Sequence, residues 1–227
     1  MIVAVHQPQY LPWLGYFDKI ASADVFVLLD NVQYKKNEWQ NRNRIKTASG
    51  PQWLTVPVSY RFGQQINEVL VNNNENWRKK QKQAIITNYR KAAHWQQTSD
   101  VLEDIFVRPW QRLADLNIFV VRRLAEILGI ATPIYVASEL PAFPEDPDER
   151  LISIVRHFGA DTYLAGSGGH NYMNLDKFAE NGIKVSFQDY KHPVYKQLFD
   201  GFEPYLSVID LIFNHGNESL TILRGEK

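Results

Sequence analysis

Short apolar runs alternate with stretches of helical periodicity along the 227 residues of the chain. Ile2 to Val5 is a continuous apolar run, the pattern of a strand buried on both faces. A loop rich in Pro, Gln and Tyr follows (His6 to Trp13). Leu14, Phe17 and Ile20 then fall on one face of a short helix, and Val25 to Leu29 is a second apolar run ending in Asp30. Strand, loop, helix and strand predict a βαβ unit, whose right-handed crossover places both strands parallel in one sheet.

Beyond it, Asn31 to Lys46 is polar, aromatic and basic, and predicts irregular structure. Gln52 to Ser59 reads as a strand that Pro57 pushes toward an edge or a bulge, with Ile66 to Val71 extending or pairing with it. Helical spacing returns at Trp77 to Ala93 and at Arg112 to Leu128, the latter stopped by Gly129. Pro133 to Ala137 predicts a strand. In LPAFPEDPDER, Asp146 is a helix N-cap, Pro147 the first helical residue and Glu149 the closing member of a capping box. Leu151, Ile154, Val155 and Phe158 form that helix's buried stripe and Gly159 ends it. ADTYLAGSGG predicts a strand and a glycine-rich loop, and GIKVSFQDY a further strand after a short helix. The alternation predicts an α/β fold with a mainly parallel sheet flanked by helices. It is expected to be one domain over residues 1–227, with a helical insertion at about 76–129.

Composition narrows the function. The chain has no cysteine, which removes disulfides, thiolate metal sites and cysteine nucleophiles. Basic and acidic side chains number 25 each, so no clustered excess of positive charge predicts a nucleic-acid partner. The first apolar stretch is too short for a signal peptide and no run approaches a membrane span, which predicts a soluble cytoplasmic protein. Aromatic residues make up 13% of the chain, a load suited to core packing and to walls that hold sugars or nucleobases.

In an open parallel sheet ligands bind beyond the carboxyl ends of the strands, and three loops there carry chemistry. The first follows the first strand and offers His6, Gln7, Gln9, Tyr10, Gly15 and Tyr16 as contacts to a phosphate or nucleotide. Its plainer reading is a rigid turn with buried aromatics. The second begins at Asp30, a carboxylate suited to a ribose hydroxyl or an ammonium group. It continues through Gln33, Tyr34, Lys35, Trp39, Asn41, Arg42, Asn43 and Arg44, where arginines can fork onto phosphate or carboxylate and aromatic rings can stack. The third is the turn Gly166, Ser167, Gly168 and Gly169, followed by Tyr172. It has neither a Walker lysine nor Rossmann glycine spacing. The basic run from Arg78 to Lys91 faces either an anionic substrate or only solvent. His157 lies beside a buried stripe, and no histidine spacing predicts a metal site.

Taken together, QPQYLPWLGYF, DNVQYKKNEWQNRNRI, PQWLTVPV, KAAHW, YLAGSGGHNY and FEPYLSVIDLIFNHG resemble the WbqC-like family of bacterial proteins over nearly the whole chain. That resemblance implies a place in the assembly of O-antigen or other surface polysaccharide, as a transferase of a small acyl or aminoacyl group, glycine among them, onto an amino sugar. More distantly, the layout resembles the HUP-type nucleotidyl-transferring and adenylating α/β folds. Their two motif histidines are missing around Gly15, and the C-terminal phosphate loop is replaced by a segment offering only Ser207 and Asp210. Both departures weigh against ATP-driven adenylation.

On this reading His6 is the general base near neutrality, Asp30 holds the acceptor amine or ribose, and Arg42 and Arg44 bind phosphate or carboxylate. Asp210 joins the binding set. No cofactor is fixed, and ATP or a nucleotide sugar enters as substrate. The expected partners are a nucleotide- or lipid-linked sugar and an amino acid, with a peripheral contact to a polysaccharide assembly left open, as is the oligomeric state. The alternatives are a nucleotide-sugar glycosyltransferase and a non-catalytic sugar-nucleotide binder or scaffold. Against the first, Asp146-Pro147-Asp148 has the spacing of a metal-binding pair but is better explained as a helix cap.

Overall fold

The computed structural model describes residues 1–225. The first apolar run forms β1 (Ile2–His6), the helix after the first loop is α1 (Leu14–Ala21), and the second run is β2 (Val25–Leu28). A hairpin of β3 (Arg42–Thr47) and β4 (Gly50–Thr55) follows, then the short pair β5 (Val58–Ser59) and β6 (Leu70–Val71). Four helices succeed them: α2 (Trp77–Tyr89), α3 (Trp95–Thr98), α4 (Asp100–Phe106) and α5 (Leu113–Ile127). The chain then returns to the sheet with β7 (Ile134–Val136), α6 (Pro147–His157), β8 (Thr162–Ala165), α7 (Leu175–Glu180) and β9 (Lys184–Phe187). Helices α8 (Ile209–His215) and α9 (Ser219–Arg224) close the described chain.

The fold is α/β, with a five-stranded parallel sheet in the order β7-β2-β1-β8-β9 and helices packed on it. Side-chain alternation divides the core in two. Ala4, Phe26, Leu28 and Leu164 face the larger cluster, with Leu14, Phe17 and Ile20 of α1 and the apolar faces of α5 and α8. Val3, Val5, Val25, Val27 and Ala165 face the smaller one, against α6 and α7. Burial on both sides is why β1 and β2 read as unbroken apolar runs. The chain builds outward from β1 through β2 to β7, then crosses back to β8 and β9. The strand order therefore reverses between β1 and β8.

Several local expectations are met by visible chemistry. Gly129 adopts φ +74° just past α5, and Gly159 φ +66° past α6. The Asp146 carboxylate accepts from the Glu149 N–H at 2.9 Å and Pro147 opens α6. The Glu149 side chain does not close a capping box, because it pairs with Lys177 at 2.9 Å. The single strand expected over Gln52–Ser59 is instead split: β4 ends at Thr55, and Val56 and Pro57 pass the chain to β5, which pairs with β6. Residues 31–46 depart from expectation, since they end in β3, fully paired with β4 from Arg42↔Thr55 to Thr47↔Gly50. Much of the aromatic load is plain core, Tyr10, Tyr16, Tyr89, Phe26 and Phe213 being among the largest fully buried side chains. Among the described residues no helix is long and apolar enough to cross a membrane.

Candidate functional site

The reversal of strand order leaves a crevice beyond the carboxyl ends of β1 and β8, the place where open α/β sheets bind ligands. A cleft of about 280 Å³ lies there, lined by His6, Trp13, Gly15, Tyr16, Lys19, residues 166–169, Tyr172 and Gln188. It brings together the first and third sequence-predicted loops. A larger depression runs along α5 to the turn after β7, lined by Asp115, Phe119, Arg122 and Glu139.

Each wall has a local cause. Gly15 sits in the first turn of α1 with the Trp13 indole folded over it, and a Cβ there would come within 2.3 Å of the ring. Gln188, just past β9, donates from Nε2 to the Gly15 carbonyl (2.9 Å) and to Asp18 Oδ2 (2.6 Å), tying that edge to α1. The glycine turn has two kinds of glycine. At Gly169 a Cβ would press within 2.9 Å of Met173 Sδ and 3.0 Å of the Phe187 ring. At Gly166 and Gly168 it would meet nothing within 4 Å, and neither residue has a positive φ. Packing and backbone conformation leave those two positions free to carry a side chain, yet both line the cleft.

The floor is electrostatically unusual. Lys19 is only 3% exposed, and its Nζ donates to the Val5 carbonyl at 2.9 Å. Burial lowers its pKa from 10.5 to about 7. His6 is half-buried and lines the cleft. Burial first, and the charge of Lys19 second, push its pKa down to about 3, against a contact with the Gln7 carbonyl. That contact, at 3.1 Å, assigns the proton to Nδ1, because a carbonyl only accepts. The ring also packs edge-on against Tyr16, with centroids 4.8 Å apart. With its conjugate acid lowered to about 3, His6 is a neutral hydrogen-bonding group of the cleft at neutral pH.

The second loop folds against the first but does not enter the cleft. Gln40 Nε2 donates to Gln7 Oε1 (2.7 Å), Tyr10 N to the Trp39 carbonyl (3.1 Å), and Asn117 Nδ2 to the carbonyls of Gln40 (2.7 Å) and Pro8 (3.2 Å). Asp30 is buried. One oxygen accepts from Ser138 N (2.9 Å) and the other from Ser138 Oγ (2.6 Å), so the carboxylate fastens the turn after β7. Arg42 and Arg44 point outward from the hairpin. Their guanidiniums lie 4.5 and 5.7 Å from the Trp53 ring, and Arg44 pairs with Glu203 at 3.5 Å. Trp39 packs 5.6 Å from Trp53, which makes a separate aromatic and cationic face on the hairpin.

Most of the remaining residues named from sequence serve the fold. Asn43 Nδ2 donates to the Leu11 carbonyl (2.6 Å), Asn41 Nδ2 to that of Val56 (2.9 Å), and Tyr10 Oη to Gln81 (2.7 Å). Tyr34 packs on Tyr60, and burial together with that neighbour raises its pKa to about 12. Gln9 is buried, Gln33 bridges to Gln65, and Lys35 is exposed with its N–H on Gln40 Oε1. Asp210 lies outside the cleft in the core, where it accepts from Tyr89 (2.8 Å) and Tyr195 (2.9 Å). Burial holds its carboxyl above the usual range.

Sequence reasoning missed Lys19, Gln188 and Trp53. Lys19 had a readable signal, because it lies three residues after Tyr16 and four after Gly15, on the helical face that continues the first loop.

A family model described as the WbqC-like protein family matches residues 7–222. The chain is also 38% identical over 226 residues to a protein of Mycobacterium tuberculosis (strain ATCC 25618 / H37Rv) named "Uncharacterized protein Rv1507c", covering 98% of this chain and 97% of that one. No solved structure matches.

Proposed function

The chain belongs to the WbqC-like protein family, and on that footing we propose that it transfers a small acyl or aminoacyl group, glycine foremost, onto the amine of a nucleotide- or lipid-linked amino sugar during surface-polysaccharide synthesis. The observation that carries the reading is the meeting of the β1 loop and the glycine turn around Lys19 at the reversal of strand order. In the transfer, the acceptor nitrogen attacks the carbonyl carbon of an activated donor. The new C–N bond forms as the donor's bond to its leaving group breaks, the leaving group keeps the electron pair, and the nitrogen's proton passes to a base. ATP, or a donor already activated, supplies the leaving group. With no thiol in the chain, catalysis rests on positioning and on hydrogen bonds from the cleft walls.

A glycosyltransferase reading has less support. Asp146 caps α6 and pairs with Lys177 at 3.0 Å, and Asp148 accepts from Asn174 N at 3.1 Å, so the only acidic pair of metal-binding spacing that the reading invoked is engaged in structure. The test is incubation of the protein with a nucleotide-linked amino sugar, glycine and ATP, followed by mass spectrometry. A product heavier by one glycyl residue supports the proposal. Nucleotide-sugar binding without turnover under any donor condition replaces it with the non-catalytic binder.

A further inference from the structure

We propose that Lys19 is the anion-holding group of the cleft: its ammonium and the open backbone at Gly166 and Gly168 together take a phosphoryl group of a diphosphate-linked sugar. The inference rests on reading the cleft as the ligand site and is independent of which group is then transferred. Lys19 is almost wholly buried, yet it lines the cleft, and among the described residues the Val5 carbonyl, at 2.9 Å, is the one acceptor for its three N–H groups. A buried ammonium with two donors unmet is costly, and an apolar side chain of the same length would fill the position without that cost. An anion arriving from the cleft supplies the missing acceptors.

The sign of the ligand follows from the walls. Among the described residues no Asp or Glu lines the cleft. The titratable groups facing Lys19 are His6 from β1, held neutral by burial, Tyr16 from the preceding turn of α1 and Tyr172 beyond the glycine turn. The nearest acid in sequence, Asp18, is engaged by Gln188 at 2.6 Å and approached by Arg224 at 4.0 Å. An ammonium group would therefore meet a cation with no carboxylate to hold it. The amine acceptor belongs outside the floor and the phosphoryl end on it. Gly166 and Gly168 complete the cradle, because their missing side chains leave room for an oxygen to approach the backbone where no other contact demands glycine.

The test is titration calorimetry of the full chain with inorganic pyrophosphate. The wild type binds, K19M binds about tenfold or more weakly because charge-assisted hydrogen bonds are lost, and the control K184M, exposed at the start of β9, binds as the wild type does. Wild-type affinity falls as pH rises from about 6 to about 9 and binding takes up a proton, read from buffers of different ionisation enthalpy. This second readout stands even if K19M does not fold. Competition by a nucleoside diphosphate identifies a nucleotide-linked source, and competition by a prenyl diphosphate identifies a lipid-linked one. Absence of pyrophosphate binding, equal binding by K19M, or preference for glycine's carboxylate overturns the inference. Lys19-dependent binding without glycyl transfer leaves it standing while removing the transferase reading.

Discussion

Replacing Lys19 with methionine keeps the length of the side chain and removes its charge, so its effect on stability measures how strongly the fold penalises the ammonium. The Lys19 pKa falls from 10.5 to about 7 on folding. At 1.36 kcal/mol for each pKa unit, that amounts to about 4 kcal/mol of destabilisation at pH 7. Losing the hydrogen bond to the Val5 carbonyl offsets about 1–2 kcal/mol of the gain. K19M is therefore expected to be about 2–3 kcal/mol more stable at pH 7, or about 4–12 °C higher in Tm for a chain of this size. The sign of the pH dependence is fixed. Between about pH 7 and 10.5 the unfolded wild type binds more protons than the folded form, so wild-type stability rises with pH and the K19M advantage shrinks toward the top of that window. The assay is urea denaturation of both proteins across that window. A K19M variant that is less stable at pH 7, or a difference that does not change with pH, refutes a desolvated, underpaired ammonium. Added pyrophosphate should narrow the gap by stabilising the wild type more than K19M.

The histidine of the same cleft gives the acid counterpart. With a folded pKa of about 3 against an ordinary 6.5, the unfolded state takes up a proton first as pH falls through that interval, so stability is lost progressively there. H6Q should flatten that limb of a stability–pH curve, and an unchanged limb contradicts the burial of the ring. The two kinds of glycine in the turn should separate by melting temperature. Gly169→Ala should cost about 1–3 kcal/mol by crowding Met173 and Phe187, whereas Gly168→Ala should be nearly neutral for stability. Equal losses at both positions contradict the packing described. Asp210→Ala leaves the buried Tyr89 and Tyr195 hydroxyls without their acceptor and should cost about 2–5 kcal/mol by denaturant titration. A loss below about 1 kcal/mol shows that the network is not a structural clamp.

The parallel sheet was legible because its strands are buried on both faces, and the loops at their ends were legible because Gly, Pro and polar residues follow each apolar run. The hairpin of β3 and β4 was not. Along Arg42–Thr47 the inward positions include Asn43, whose side chain is spent on the Leu11 carbonyl, and Lys46 is buried too, so no apolar alternation marks the strand. Asp30 read as a site residue because its partner, Ser138, lies 108 positions away. Arg42 and Arg44 read as phosphate or carboxylate ligands from their chemistry alone, and only the strand register shows that they lie over Trp53. Lys19 escaped because one lysine in a short amphipathic helix reads as solvated. Zero net charge says nothing of such a residue, since its effect comes from where the fold places it.

The most direct test is a crystal structure of the protein with a nucleotide-linked amino sugar bound. The account predicts the diphosphate against Lys19 and the Gly166–Gly168 backbone, with the sugar amine toward the Trp13 and Tyr172 side of the cleft. A ligand seated instead on the Trp39 and Trp53 face of the hairpin, away from Lys19, would contradict it.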